Sequence, residues 1–488
     1  MREKKVNQAS LKIACVPCSQ SESVRGRLGG RFGARACILF FAFILRSAYA
    51  FYAYNHTFKE YKTEGQQVSA LDPDGYNRLG VALIERGELS LTPGHLETSR
   101  EPFYPLLLAA AHFFFGLSPI VGITLNVLIG VLCCWMTYAV TLSVFQNERV
   151  GLFSLLLAAF FPEWIYFSAT MFREPLIILL SLIWILLWQK YSASQSAWAY
   201  AGMGTAFGLL CLTRSPFIPM GGAFALLAAS KIKLKDWART IGIFLLCAFV
   251  LEGIWMYRNE RILKRWVAGA SIGGSVMYLS LLYNYSRPDI PLEYPLGAGK
   301  DPVISVVLAR HLTLDQAEPI FYQACLKILI HHPLVFWDAF IHKVMKLWRP
   351  YPNPGWKYPH SLFSLSSLSL IGFFSGGGIM LLGLWGSVLA WRNGYPIGFL
   401  ILFPMLMSVV YGLFWAVMRY HTTLMVGVIP QAGLRPRRAA LKGSRGLKRI
   451  SRLKDSCDAI GGSSLGLRMI QLRSQKANGE IDHDFNRR

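Results

Sequence analysis

Seven charged side chains stand at the edges of long apolar runs in this sequence. They are Asp72 and Asp74 in LDPDGYNRLG, Glu101 in TSREPFYP, Glu174 in TMFREPLII, Arg214 in CLTRSPF, Arg258 in WMYRNERI and Arg419 in VMRYH. An ionisable group costs roughly 2.5–3.5 kcal/mol near the centre of a membrane helix, so residues of this kind are candidates for function. The chemistry open to them is specific. A carboxylate can take the proton of an acceptor hydroxyl. An arginine can grip a phosphate leaving group with two parallel donors and stabilise its growing charge. A divalent metal (Mg, Mn or Zn) held by Asp72, Asp74 and Glu101 would do the same work. Each residue also has a plainer use. Asp-Pro-Asp-Gly is an ordinary turn signal. Glu101 and Glu174 each precede a proline suited to a helix's first turn, where a carboxylate complements the macrodipole. Arg214 could simply pair with Glu174 and hold two helices together.

The elements that must position these groups are helices. The chain has 488 residues, of which 53% are hydrophobic and 16% charged, and mean hydropathy is +0.37. That composition predicts an all-α polytopic membrane protein. Apolar runs at 36–54, 119–142, 150–170, 174–190, 197–213, 216–230, 238–257, 368–391 and 396–418 predict about nine or ten membrane helices at about 20 residues per crossing. The net charge of +23 is concentrated at the ends, +6 over residues 1–36 and +9 over residues 433–488. Basic residues flanking apolar runs mark a cytoplasmic face, so the charge points to membrane orientation and not to nucleic acid. Arg25, Arg27, Arg31 and Arg35 precede the first run and place its start in the cytoplasm. SAYA at 47–50 has the pattern of a signal cleavage site, but apolar character continues past Ala50, so an uncleaved helix is expected. Asp72 and Asp74 then lie on the extracytoplasmic side.

Other motifs fail. Cys15 and Cys18 form a lone C-x-x-C without a second pair. LGAGKD at 296–301 has Asp301 where a phosphate-binding loop needs Ser or Thr. Cys133 and Cys134 read as small core residues, and His331 and His332 as interfacial. NHT at 55–57 and NYS at 284–286 are glycosylation sequons only in a secretory context. The segment 102–117 is short for a crossing. If it does not cross, Glu174, Arg214 and residues 258–360 share the face of Asp74, and KIKLKDWAR at 231–239 faces the cytoplasm. If it crosses, the later topology inverts. The flanking basic residues are balanced and leave both open.

The order of these motifs resembles the C-type glycosyltransferases, polytopic enzymes that use polyprenyl-phosphate sugars. It is most similar to bacterial members grouped with protein mannosyltransferases and the aminoarabinose transferase of lipid A. The similarity runs from about Phe40 to Val428 through DPDGYNRLG, SREPFYP, FREPLII, LTRSP, WMYRNERI, HHPLVFWDAFIHKVMKLWRPYP and RYHTTLM. The resemblance implies a sugar donor carried on polyprenyl phosphate, a lipid, glycan or protein acceptor, surrounding membrane lipids, and a multi-pass protein of the bacterial inner membrane with an extracytoplasmic site. It implies a catalytic or metal-binding role for the first-loop aspartate, here Asp72 or Asp74, with Glu101 and Glu174 at the Glu-Pro positions. Asp74 is preferred as a natural N-cap of the amphipathic segment after it. Arg214, Arg258 and Arg419 are expected to bind donor phosphate. It also implies that 102–117 does not cross fully. The expected organisation is a basic cytoplasmic segment 1–35, a catalytic membrane module 36–257 with an outer loop 55–101, an extracytoplasmic domain 258–360, membrane helices 361–430 and a basic tail 431–488. That tail departs from the family's apolar continuation and is expected to be disordered or frame-shifted. Two other functions compete. A lipid-linked sugar transporter or flippase would carry midplane charges on broken helices, and a surface-polysaccharide polymerase or ligase would concentrate its essential residues in the large outer loop.

Overall fold

The structure, a computed structural model, describes residues 19–60, 71–191, 196–229, 234–284, 301–350, 364–416 and 418–434. The C-x-x-C pair, most of the glycine-rich 296–301 motif and residues 435–488 of the tail lie outside the described residues. A long first helix, α1 (Ser19–Glu60), leads into α2 (Tyr76–Arg86), α3 (Phe103–Phe115), α4 (Pro119–Phe145), α5 (Glu148–Phe160) and α6 (Pro162–Ser168). Then come α7 (Glu174–Tyr191), α8 (Ala197–Thr213), α9 (Met220–Ala229), α10 (Leu234–Leu263), α11 (Gly273–Asn284) and α12 (Pro302–Ala309). The remainder is α13 (Glu318–His331), α14 (Pro333–Leu347), α15 (Leu365–Gly372), α16 (Gly378–Arg392), α17 (Gly398–Leu413) and α18 (His421–Ala432). The described residues form no sheet, only an isolated bridge between Thr92 and His95.

Every apolar run is helical over most of its described residues, and the chain is an integral, multi-pass membrane protein. Five helices among the described residues are long and apolar enough to cross a bilayer, or up to seven if each of two bent pairs is one span. The expectation of nine or ten counted runs that become shorter helices, among them α8 and α17. α3 has 13 residues, about 20 Å at 1.5 Å per residue against a hydrocarbon core of about 30 Å.

Breaks in the helices are managed by named groups. The run 150–170 bends by 56° between α5 and α6, because Pro162 cannot donate to the preceding turn. The carbonyls of Ala158 and Ala159 at the end of α5 accept from Arg46, at 3.1 and 2.9 Å. Arg46, fully buried in α1, thus supplies the donors that the break removed. α8 and α10 meet backbone to backbone, since a Cβ on Gly204 would collide with the Phe244 carbonyl and one on Gly208 would lie 2.9 Å from that of Ala248. Small residues four apart allow such close approach in apolar surroundings. α11, α13 and α14, with Val307 of α12, build a core of their own around Tyr278, Phe321, Cys325 and Phe336.

Candidate active site

The turn before α2 separates the two aspartates. Gly75 takes a left-handed conformation with φ of 77°, and its N–H donates to the Asp72 carbonyl at 3.1 Å. The chain then reverses so that the Asp72 carboxylate accepts from the N–H groups of Asn77 and Arg78, each at 3.0 Å. Gly75 thus sits at the N-cap position without a side-chain bond, and the Asp72 carboxylate caps the first turn of α2 in its place. The expectation that Asp74 fills that role is corrected, because the φ > 0 turn at Gly75 carries Asp74 past the helix start. Asp74 instead turns to Arg419, whose Nη1 donates to its Oδ2 at 2.7 Å.

Around Asp74 the ends of several helices converge. Glu174 opens α7 and is fully buried. Its Oε1 lies 3.6 Å from Arg419 Nε and 3.7 Å from Arg214 Nη1. Arg214 follows the last residue of α8 and lies with its guanidinium 3.6 Å from the Tyr420 ring centre and 5.1 Å from that of Tyr411. Arg419 and Tyr420 belong to a 3₁₀ turn, Met418–Tyr420, just before α18, and the Arg419 guanidinium also stands 5.4 Å over Phe172. The structure thus brings together Asp74, Glu174, Arg214 and Arg419. Both Glu174 oxygens, Arg214 Nε and Nη1, and Arg419 Nε are buried without a hydrogen-bond partner. Polar atoms left so in a dry interior are costly.

Glu101 and Arg258 make different contacts. The second Arg-Glu-Pro motif reaches into the first. Glu101 Oε2 accepts from Arg173 of the second motif, while its Oε1 accepts from Ser215 N–H at 2.7 Å and Ser215 Oγ at 2.8 Å. Arg100 of the first motif donates to the Asp74 carbonyl at 2.6 Å and to Glu97 at 2.7 Å. Arg258 donates to the Glu97 carbonyl at 2.6 Å and lies over Trp255, one layer behind Arg100.

The metal set Asp72, Asp74 and Glu101 is not formed. No group of three or more His, Cys, Asp or Glu residues among the described residues could hold a metal ion. The physical reason is that each carboxylate is already engaged, Asp72 by two backbone amides, Asp74 by Arg419 and Glu101 by Arg173 and Ser215.

Electrostatics separate the acids further. Burial pushes the Asp72 carboxyl up to about 7, against the pull of the Asn77 and Arg78 amides. Burial also raises Asp74, but Arg419 and Arg173 outweigh it and hold that carboxyl below its usual value. Glu101 is likewise held low, by Arg173 and Ser215 acting against burial. The Tyr420 hydroxyl, raised by burial, is brought below its usual range by Arg214, Arg419 and Arg173.

Asp72 yields a testable pH dependence. Between its ordinary 3.8 and about 7 the folded carboxyl holds a proton that the unfolded chain has released, so stability falls as pH rises through that window and is flat above it. Asp72→Asn keeps a cap and should remove that slope in thermal unfolding of the detergent-solubilised protein. Asp72→Ala should lose about 0.5–2 kcal/mol of stability, as caps do, with turnover of the folded fraction unchanged within about twofold. An unaltered pH slope in the Asn variant would show that Asp72 is not the titrating group.

Several members of the cluster were not singled out from the sequence. Arg173 and Tyr420 stand next to Glu174 and Arg419 in quoted motifs, so adjacency was the available signal. Tyr76, whose ring lies 5.2 Å from the Arg173 guanidinium, and Tyr411 carried no signal beyond being aromatic. Glu163 and His421, paired at 3.1 Å, come from distant apolar segments.

Residues 99–255 match a family model described as dolichyl-phosphate-mannose-protein mannosyltransferase. Glu101, Arg173, Glu174 and Arg214 fall inside that stretch, and Asp72, Asp74, Arg258 and Arg419 outside it. No curated protein matches this chain. Among solved structures, the chain is similar to the archaeal oligosaccharyltransferase AglB from Archaeoglobus fulgidus, solved with an inhibitory peptide and a dolichol-phosphate, with 14% identity and a TM-score of 0.39. The match covers 88% of this chain but 54% of that one, so the chain spans about half its length. At that TM-score neither site nor activity transfers. The resemblance to C-type, polyprenyl-phosphate-dependent glycosyltransferases that the ordered motifs carry is therefore met by a family model across residues 99–255, from the first Arg-Glu-Pro motif through most of α10.

Proposed function

We propose that the chain is a membrane glycosyltransferase. It moves a sugar from a polyprenyl-phosphate donor to a hydroxyl of a lipid, glycan or protein acceptor on the extracytoplasmic face, in a bacterial inner membrane. The observation that carries this reading is the convergence of Asp74 with Arg214 and Arg419 at helix ends, where Asp74 holds Arg419 Nη1 while Arg419 Nε and Arg214 Nε and Nη1 have no hydrogen-bond partner. In the reaction the acceptor oxygen attacks the anomeric carbon and the bond from that carbon to the phosphate oxygen breaks. The phosphate leaves with the bonding electron pair, and the acceptor proton passes to the Asp74 carboxylate. Arg214 and Arg419 hold the phosphate and take up its growing charge, while Glu174 keeps the two guanidinium groups close to each other before the donor arrives. Charges at helix ends support this over a transporter, whose ion-binding groups belong near the bilayer midplane.

Purified protein supplied with a polyprenyl-phosphate sugar and an acceptor extract should release polyprenyl phosphate in step with sugar transfer. Movement of intact donor between leaflets without release would sink the reading. A loss of rate on adding chelator would return the acids to a metal and remove Arg419 from Asp74.

Arg214→Lys separates grip from scaffold. Lysine keeps the charge opposite Glu174 but loses the flat stack on Tyr420 and the parallel donors. Turnover should fall at least about tenfold, or about 1.4 kcal/mol of barrier, with little change in melting temperature. Lower stability with normal turnover of the folded fraction would assign Arg214 to holding α7 and α8 together.

A further inference from the structure

We propose that α14 lies in the surface of the lipid bilayer, with one face bedded among acyl chains and the other on the protein. The observation is a helix that is apolar on its outside. Its exposed residues are Pro333, Leu334, Trp337, Ile341 and Met345, with no charge among them. Leu334, Trp337, Ile341 and Met345 are 50–65% exposed. Their spacing of three, four and four residues puts them on one stripe. The inward face, Val335, Phe336, Ala339 and Leu347, is buried and already belongs to the core. Hence the outer stripe is not a core face awaiting its own domain.

Its neighbours indicate what covers that stripe. Trp348 Nε1 donates to Ser408 at 2.9 Å, and Lys343 Nζ to the Leu413 carbonyl at 3.1 Å. These bonds tie α14 to the last turns of α17, an apolar helix whose own strongly exposed side chains are Met405 and Val409. Asp338, His342 and Lys346 flank the stripe and are only partly exposed, the arrangement of a helix at a headgroup boundary, with Trp337 as its aromatic anchor. By its own length α14 does not cross. α14 is about 22 Å long against a hydrocarbon core of about 30 Å, and it turns back from α13 by 109°. α14 also packs against the 3₁₀ turn that carries Arg419. Bedding α14 therefore sets the depth of that turn at the membrane surface.

The full chain in proteoliposomes, with Cys15, Cys18, Cys37, Cys247 and Cys457 replaced, can carry a nitroxide at Leu334, Trp337, Ile341 or Met345, with exposed Arg310 as the aqueous control. The four stripe positions should be relaxed more by dissolved oxygen, which partitions into lipid, than by a water-soluble nickel chelate, and Arg310 the reverse. Greater nickel access on the stripe would overturn the proposal. So would exclusion of both reagents, which would mean protein cover by a second copy or by residues 435–488. Should the cysteine-depleted chain not fold, Trp337→Phe in the otherwise native chain gives the second reading. The share of tryptophan emission quenched by acyl-brominated phosphatidylcholine should drop, and an unchanged share would equally overturn the proposal. Both readings are independent of any transferase activity.

Discussion

Replacing Asp74 by Asn should lower sugar transfer by about 10²–10⁴-fold, the contribution of a positioned general base, while the protein still inserts and melts within a few degrees of the native chain. Asparagine matches aspartate in size and keeps an oxygen toward Arg419, so the 2.7 Å contact survives in weaker form. What disappears is the place for the acceptor's proton. The pH profile adds a second check. Because Arg419 and Arg173 hold Asp74 below its usual value, it stays ionised through the range in which an ordinary aspartate takes up its proton. No acid limb near neutrality should therefore come from Asp74. Asp72, raised to about 7, has the better-matched value for a base but the worse geometry, since it is fully buried and its oxygens are held by two backbone amides. An acid limb near 7 that Asp72→Asn abolishes would move the role to Asp72. Full activity in Asp74→Asn would remove Asp74 from the mechanism.

Glu101→Gln should act in the opposite way, on the fold and not on the rate. Glu101 is 3% exposed, and its oxygens are consumed by Arg173 and Ser215. Glutamine can still accept from Ser215 but turns an amide toward Arg173, leaving a buried guanidinium uncompensated. Breaking one side of a buried pair costs about 3–5 kcal/mol. The expected result is a lower melting temperature and less folded protein, with turnover per folded molecule within a few fold of native. Arg173 would still donate to the Thr213 carbonyl at 3.0 Å, so part of the clamp between α7 and α8 persists. Native stability with lost turnover would place Glu101 in the chemistry, as its position in the motif series first suggested.

The sequence by itself determined that the chain is a bundle of membrane helices and which charged residues deserve suspicion. Both follow from local physics. A run of apolar residues becomes helical in lipid because its backbone groups have no other partner there, and an ionisable residue at the end of such a run stands out because it is costly. The shortness of 102–117 follows from composition in the same way, whereas 150–170 was read as one unbroken run and the structure bends it at Pro162. Only the tertiary structure decided who pairs with whom. Asp74 and Arg419 are 345 residues apart, and nothing in the periodicity of either segment specifies that α2 and α18 begin at the same place. The reach of Arg173 in the second Arg-Glu-Pro motif to Glu101 in the first was equally hidden, since each motif alone offers a neighbouring arginine and glutamate. Sequence favoured Asp74 over Asp72 for the wrong physical reason. The cap is set by backbone direction at Gly75, and a single residue with φ > 0 reverses which of two aspartates faces the helix. The metal set is not formed because its carboxylates are already engaged, Asp72 by the amides of Asn77 and Arg78 in the following helix, and Asp74 and Glu101 by Arg419, Arg173 and Ser215 from distant segments.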